Sequence, residues 1–319
     1  CARACKYEIS PAASVFMNHL RAKLRSAKKS GLIWRYVSNL VPALGYGLGG
    51  HRILTSAEHD LVTELDRDGI AVTSIDALLE DNSDFAELDS AVAGLLEGKE
   101  REIADLKLSA GNETAIGKKT FNLEMLGSDL TFDVEEVFAR FALNDSLLNI
   151  ANAYFRMFAV LRYYNVWYTA ATNSTARESQ LWHFDREDRF ILKAFLYLND
   201  VDDGAGPFTY APGTHKKGKY RSIEPEYFVE GGVRRTTDEQ MSAVFPEDKW
   251  IRGIGKKGTL IFADTRGFHK GGEARTKDRL MYTCMYTSPA SESKRLISYR
   301  KDLDLSSLTP KQVRALQHK

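Results

Sequence analysis

The chain has 319 residues, 43% of them hydrophobic and 27% charged, with a formal net charge of +1. That is enough chain for one large domain or two small ones with a sizeable core, and the near-neutral balance gives no global field to hold nucleic acid or an anionic membrane. Three cysteines (Cys1, Cys5 and Cys284) are too few for a disulfide framework or a cysteine-based zinc site, so a reducing, cytoplasmic setting is the expectation.

In chain order, the first 155 residues read as mainly helical. Phe16, Leu20 and Leu24 recur at helical spacing, and Arg21, Lys23, Arg25, Lys28 and Lys29 leave a basic side that reads as a solvated helix face. The apolar stretch 31–50 is interrupted by Arg35, Asn39 and Pro42, which makes it a poor membrane span. A second amphipathic helix is predicted over Ser56 to Asp68. Gly69 stops it, and a short strand Ile70 to Thr73 follows. Phe85 to Leu96 and Val134 to Phe155 are further helical candidates.

The texture changes near residue 159. Ala159–Ala170, Ile191–Leu198, Gly206–Tyr210, Thr259–Phe262 and Leu280–Thr287 are short, β-branched and aromatic, and turn signals such as Asp202-Asp-Gly204 and Pro212-Gly213 lie between them. Short strands with glycine-rich corners argue for a β-sandwich or jelly roll. The expected organisation is a helical region over 1–155 packing on a β core over 156–300. An insertion at about 216–250, helical near Glu224–Val229 and Thr237–Phe245, interrupts that core, and a C-terminal helix over 301–319 follows it.

The chemistry concentrates in three places. Gln180-Leu-Trp-His183-Phe-Asp185 ends in His-x-Asp, and residues two apart on a strand share a face, so one imidazole and one carboxylate can reach one ion. Trp182 and Phe184 alternate with them and read as core. His269, just after a predicted strand, can supply a third ligand. Two histidines and a carboxylate on one face of an ion leave positions open for a bidentate 2-oxo acid and dioxygen, the arrangement of non-haem iron(II) oxygenases. Arg279, opening the strand that follows His269, can grip a distal carboxylate with two parallel hydrogen bonds. Its competing role is a salt bridge with Asp278, and Arg275 is the competing cation. Gly271-Gly272, just beyond His269, permits a tight path beside a ligand.

These blocks together, namely His183-x-Asp185, Leu196-Tyr-Leu-Asn-Asp-Val201, Gly206-Pro-Phe, Pro212-Gly-Thr-His215 and His269 with Arg279, resemble the phytanoyl-CoA dioxygenase (PhyH-like) family over roughly residues 159–288. The resemblance implies a double-stranded β-helix (jelly roll, cupin-like) with flanking helices. It implies Fe(II), 2-oxoglutarate and O2 as metal and co-substrates. It carries metal-ligand roles onto His183, Asp185 and His269, and the co-substrate carboxylate onto Arg279. Asn165, Lys193 and Phe195 are its further candidates for co-substrate contacts; a lysine inside the barrel needs an anionic partner, 2-oxoglutarate or an acid such as Asp188. His215 is structural in its turn. A relative that chlorinates lacks the carboxylate ligand, so Asp185 favours hydroxylation.

The implied reaction is hydroxylation of a small molecule with release of succinate and CO2. Lys216, Lys217, Lys219, Arg221, Arg234, Arg235 and Lys249 in the insertion suit an anionic substrate, although Glu224, Glu226, Asp238 and Glu239 among them also fit ordinary solvated loop charge. The competing functions are a non-catalytic jelly-roll binding protein and an oxygenase acting on a macromolecule. The first predicts a broken triad or no arginine, and the second an open groove with a basic or aromatic stripe.

Overall fold

The computed structural model describes residues 31–50, 53–109, 121–291 and 296–317. The basic helix expected around Phe16 to Lys29, with Cys1 and Cys5, lies outside the described residues.

Helix Ser56–Asp68 begins at a capping box. Thr55 Oγ1 accepts from Glu58 N at 3.2 Å, and Glu58 Oε2 accepts from Thr55 N at 3.0 Å, so two amides with no intrahelical partner are satisfied at once. The helix stops at Gly69, whose φ of 79° is the left-handed cap that only glycine adopts cheaply. A Cβ there would lie 2.4 Å from the Tyr210 hydroxyl and 2.5 Å from His215 Nδ1. The close approach lets the helix hand straight over to the sheet.

Among the described residues the strands are β1 (Ile70–Ser74), β2 (Asn122–Glu124), β3 (Leu130–Thr131), β4 (Val160–Thr169), β5 (Leu192–Tyr197), β6 (Thr209–Tyr210), β7 (Phe228–Glu230), β8 (Val233–Arg235), β9 (Ile251–Arg252), β10 (Thr259–Asp264), β11 (His269–Lys270), β12 (Arg279–Thr287) and β13 (Ile297–Ser298). Six form one antiparallel sheet in the order β1-β10-β5-β12-β4-β2. A smaller sheet, β11-β6-β9, is extended by the bridges His183↔His269 and Trp182↔Thr236. This is the helix-flanked jelly roll that the resemblance implied.

Alternation along the central strands sorts the large sheet's two faces. Leu192, Ala194 and Leu196 of β5, Leu260 and Phe262 of β10, and Leu280, Tyr282, Cys284 and Tyr286 of β12 join one apolar cluster with the helices Val137–Ala142 and Asp145–Phe155. Tyr282 and Tyr286 donate to the carbonyls of Phe138 and Ala142, each at 2.6 Å, so buried hydroxyls fasten helix to sheet. The opposite face presents Phe195, Tyr197, Ile261, Ala263 and Met281 toward the small sheet. Because both faces are covered, the strands read as nearly continuous apolar runs.

Several sequence expectations need correction. The helix predicted over Val134 to Phe155 is two helices, because Asn144 caps the second by accepting from Ser146 N. Residues 224–229 are not helical: β7 and β8 form a hairpin whose turn is Gly231-Gly232, both with positive φ. The helix near Thr237 is present, as Asp238–Ser242 with a Thr237 capping box. The helical region before residue 155 does more than pack on the core, since it supplies both edge strands of the large sheet, β1 and β2. The C-terminal helix spans Pro310–Leu316. Among the described residues, no helix is long and apolar enough to cross a membrane.

Candidate active site

The small sheet brings the two halves of the motif together. His183 N donates to His269 O and His269 N to His183 O, each at 2.9 Å. Asp185 N donates to Thr265 O at 2.8 Å, which fixes the other end of the His-x-Asp segment. The imidazole centroids are 4.3 Å apart. One ligand atom from each of His183, Asp185 and His269 lies within 4.8 Å of the other two. Chain segments more than eighty residues apart thus converge on a space of ionic size.

Each imidazole is oriented from behind. His183 Nδ1 lies 2.8 Å from Leu181 O, and His269 Nδ1 lies 3.0 Å from Gly267 O. A carbonyl can only accept, so Nδ1 carries the proton and the lone pair sits on Nε2, facing the site. Burial lowers both histidines' pKa values, His183 the further. Neutral imidazoles with outward lone pairs are what a cation requires. Burial works to raise the Asp185 pKa, but the Lys193 ammonium, with Nζ at 2.7 Å from Oδ2, prevails and holds it below the usual carboxylate range.

The second half rests on buried polar anchors. Asp264, fully buried at the end of β10, accepts from the Tyr154 hydroxyl at 2.6 Å and from the amides of Ile191 and Arg266. Its carbonyl accepts from the Tyr210 hydroxyl at 2.8 Å. Thr214, in the Pro212-Gly-Thr-His215 turn, accepts from Phe268 N at 2.8 Å, one residue before the ligand candidate. His215 is buried in that turn with Nε2 3.3 Å from Asp66 O, outside the triad, so its structural assignment stands. Arg266 Nη1 donates to Asp185 O at 2.6 Å. The sequence carried no mark of Asp264 or Arg266 as supports, because their partners come from distant segments.

A cavity of about 630 Å³ opens from the triad between the sheets, well within the range of small-molecule sites, roughly 300–1,000 Å³. Arg279 lines it from the start of β12 and is 4% exposed. Its Nη1 touches the carbonyls of Gly206 and Gly271, Nη2 lies 3.5 Å from Thr169 Oγ1, and Nε has no partner. Gly272 keeps this corner narrow: its φ is 68°, and a Cβ would meet the Pro207 carbonyl at 2.4 Å. The competing roles fall away. Asp278 is held by Lys107 and the Tyr168 hydroxyl, while Arg275 pairs with Glu273 and donates to Ser174 O. Among the described residues, Arg279 therefore has no carboxylate partner.

The other candidates divide. Lys193 and Phe195 line the cavity from the inner face of β5, and the partner of Lys193 is Asp185, not Asp188. Asp188 instead accepts from Trp34 Nε1 and Ser288 N. Asn165 is not brought to the cavity. Its side chain accepts from Leu126 N and donates to Gly127 O, binding β4 to the turn after β2. Trp182 is core as expected, its indole against Trp250 and its Nε1 donating to Asp238. Phe184 departs from that expectation: it is half-buried on the cavity wall, edge-on to Phe268. Arg235, which in the sequence was one of seven insertion cations, also points into this cavity.

No curated protein matches the chain. Similar solved structures include EctD from S. alaskensis with bound Fe (17% identity, TM-score 0.48, covering 78% of this chain and 84% of that one). Another is the epimerase SnoN in complex with Fe3+, alpha ketoglutarate and nogalamycin RO (17% identity, TM-score 0.47, 76% and 87%). A third is AviO1 from Streptomyces viridochromogenes Tue57 (15% identity, TM-score 0.45, 76% and 100%). The sequence profile described as Phytanoyl-CoA dioxygenase (PhyH) matches residues 107–281, more than half of the chain and all of the site just described. The chain thus belongs to the phytanoyl-CoA dioxygenase (PhyH) family and is a 2-oxoglutarate-dependent non-haem iron oxygenase.

Proposed function

We propose that the protein hydroxylates a small organic molecule, with His183, Asp185 and His269 holding Fe(II) and Arg279 holding the distal carboxylate of 2-oxoglutarate. The observation that carries this reading is the buried Arg279 guanidinium, which lacks an acid partner in the same cavity as the triad. A charge buried alone costs several kcal/mol, so a site of this kind is completed by a ligand that brings the opposite charge. The donor set fits the metal. It offers two imidazole nitrogens and one carboxylate oxygen with no sulfur, from one side only, which suits iron(II) and leaves coordination positions open.

When bound, iron and 2-oxoglutarate supply an oxidation driven by dioxygen, with release of succinate and CO2. The residues of the chain orient and enclose. Leu181 O and Gly267 O hold the imidazoles in one tautomer. Thr169 and the narrow glycine corner hold Arg279 in place. Lys193 and Phe195 line the wall beside the triad, where they complete the co-substrate site. Asn165 has no part in that site, because its polar atoms are already used in the turn. Asp185 supports hydroxylation over halogenation, since its carboxylate occupies the position a halide would need. The intact triad and Arg279 speak against a non-catalytic binding protein. The insertion's cations support an anionic substrate.

The test is an anaerobic titration with Fe(II) and 2-oxoglutarate, read by the visible charge-transfer band of the ternary complex and by calorimetry. Wild type should give the band, His183→Ala should lose it, and Arg279→Ala should weaken 2-oxoglutarate binding. A wild-type protein with neither band nor binding heat would refute the assignment.

A further inference from the structure

The cavity holds a second buried guanidinium that the metal and co-substrate do not use. Arg235 lies on β8 and is 9% exposed. Its Nε and Nη1 are buried with no hydrogen-bond partner. The nearest carboxylate is Glu230, with Oε2 at 3.9 Å from Nε, and that oxygen already accepts from Glu178 N at 2.8 Å; the Glu178 and Asp185 carboxylates act on the guanidinium without a hydrogen bond to it. The contact is too long for a hydrogen bond, so Arg235 is buried with its donors unspent. A guanidinium stays charged in such a place, and its unmade hydrogen bonds are costly.

The local structure aims it deliberately. Neighbours on a strand point to opposite sides. Arg234 is exposed and lies over the Tyr227 ring at 4.2 Å, while Arg235 turns inward. Thr236, the next residue, exchanges two backbone hydrogen bonds of 3.0 Å with Trp182, which immediately precedes His183. Arg235 is thus braced against the segment that carries two of the triad residues. Arg279 enters from β12, beside Gly206 and Gly271. The two cations enter one cavity from different strands, and Trp167, Phe184, Val233 and Met281 are among the other residues that line it.

We propose that Arg235 is the anchor for an anionic group, a carboxylate or a phosphate, at one end of the primary substrate, whose apolar body lies along the aromatic wall toward the triad. This rests on the oxygenase reading only in assigning Arg279 to the co-substrate. One dianionic co-substrate uses the metal and one guanidinium; the second guanidinium calls for a second anion. The β7–β8 hairpin then becomes the element that sets substrate selectivity. Its turn has positive φ at both Gly231 and Gly232, and Gly232 and Val233 are part of the cavity lining.

Octanoate, octyl phosphate and the neutral octanamide serve as probes. Each is titrated calorimetrically into anaerobic protein saturated with Fe(II) and 2-oxoglutarate, and in parallel into metal-free protein with 2-oxoglutarate in excess. Wild type should bind one of the anions at least about ten-fold more tightly than the amide, the yield of one charge-assisted hydrogen bond; which anion wins identifies the group. Arg235→Gln should abolish that preference, Arg235→Lys should keep part of it, and both should bind 2-oxoglutarate within about two-fold of wild type. The proposal is overturned if wild type binds the three probes alike, or if the preference survives Arg235→Gln. It is also overturned if Arg235→Gln weakens 2-oxoglutarate as much as octanoate, which would place Arg235 in the co-substrate site. Should no iron and 2-oxoglutarate complex form, the oxygenase assignment fails alone, and the metal-free arm still decides the anion preference.

Discussion

Replacing Arg279 with methionine should separate stability from ligand binding. The guanidinium is buried, has no acid partner, and is held by two glycine carbonyls and Thr169. Methionine is of similar length and carries no charge. In the ligand-free protein, loss of the contacts to Gly206 and Gly271 is offset by removal of an uncompensated buried charge, so the melting temperature should stay level or rise. Ligand binding should change far more. Two charge-assisted hydrogen bonds to a carboxylate are worth at least about 3 kcal/mol together, or roughly 150-fold in Kd. With 2-oxoglutarate at 100 times its Kd, wild type with metal gains about 2.7 kcal/mol. For a chain of this size that raises the melting temperature by about 4 °C. At the same concentration the variant would sit below its own Kd and gain about 0.3 kcal/mol, a shift under 1 °C. Differential scanning fluorimetry with and without 2-oxoglutarate reads both quantities. A variant that keeps the full ligand-induced shift would refute the clamp. A variant that loses many degrees without ligand would show that Arg279 is mainly a cross-tie between two loops.

Three further outcomes follow from the geometry. Asp185→Ala leaves the half-buried Lys193 ammonium without its partner and should destabilise metal-free protein by about 1–3 kcal/mol, whereas Asp185→Ala with Lys193→Met should recover most of it; denaturant midpoints check this, and equal midpoints for single and double variants would sink it. Burial depresses the pKa values of His183, His269 and His215, so the folded state keeps them neutral while the unfolded chain takes up protons. Their contribution is present above about pH 6.5 and is lost as pH falls below it, at up to about 1.4 kcal/mol per pH unit for each histidine; a melting temperature flat between pH 7 and 5 would contradict this. Gly69→Ala should cost about 2–4 kcal/mol, since it combines a left-handed backbone with a Cβ driven into Tyr210 and His215, and a melting temperature within 1 °C of wild type would show that the turn relaxes easily.

Local pattern alone settled much of this protein. His-x-Asp puts an imidazole and a carboxylate on one side of an extended segment whatever surrounds it. Thr55 with Glu58, then Gly69, mark both ends of a helix by hydrogen bonds within a few residues. Strands such as β4 and β12 announced themselves because both of their faces are buried, which demands long runs of apolar and aromatic residues. Contacts between distant segments decided the rest. Nothing near Arg279 distinguishes it from Arg275; one enters the cavity and pairs with no acid there, and the other finds Glu273 at the surface. Asn165 alternates correctly along β4, yet the turn at 126–127 claims its amide before any ligand can. Residues 224–229 have no strong strand signal until Gly231-Gly232 turns them back on β8, and that fold-back turns Arg235 from one loop charge among seven into a buried donor. The physical reason is the same in each case. Periodicity and caps act over a few bonds and are written in consecutive residues. The partner of a buried charge is chosen by packing, which the chain specifies only when it is folded.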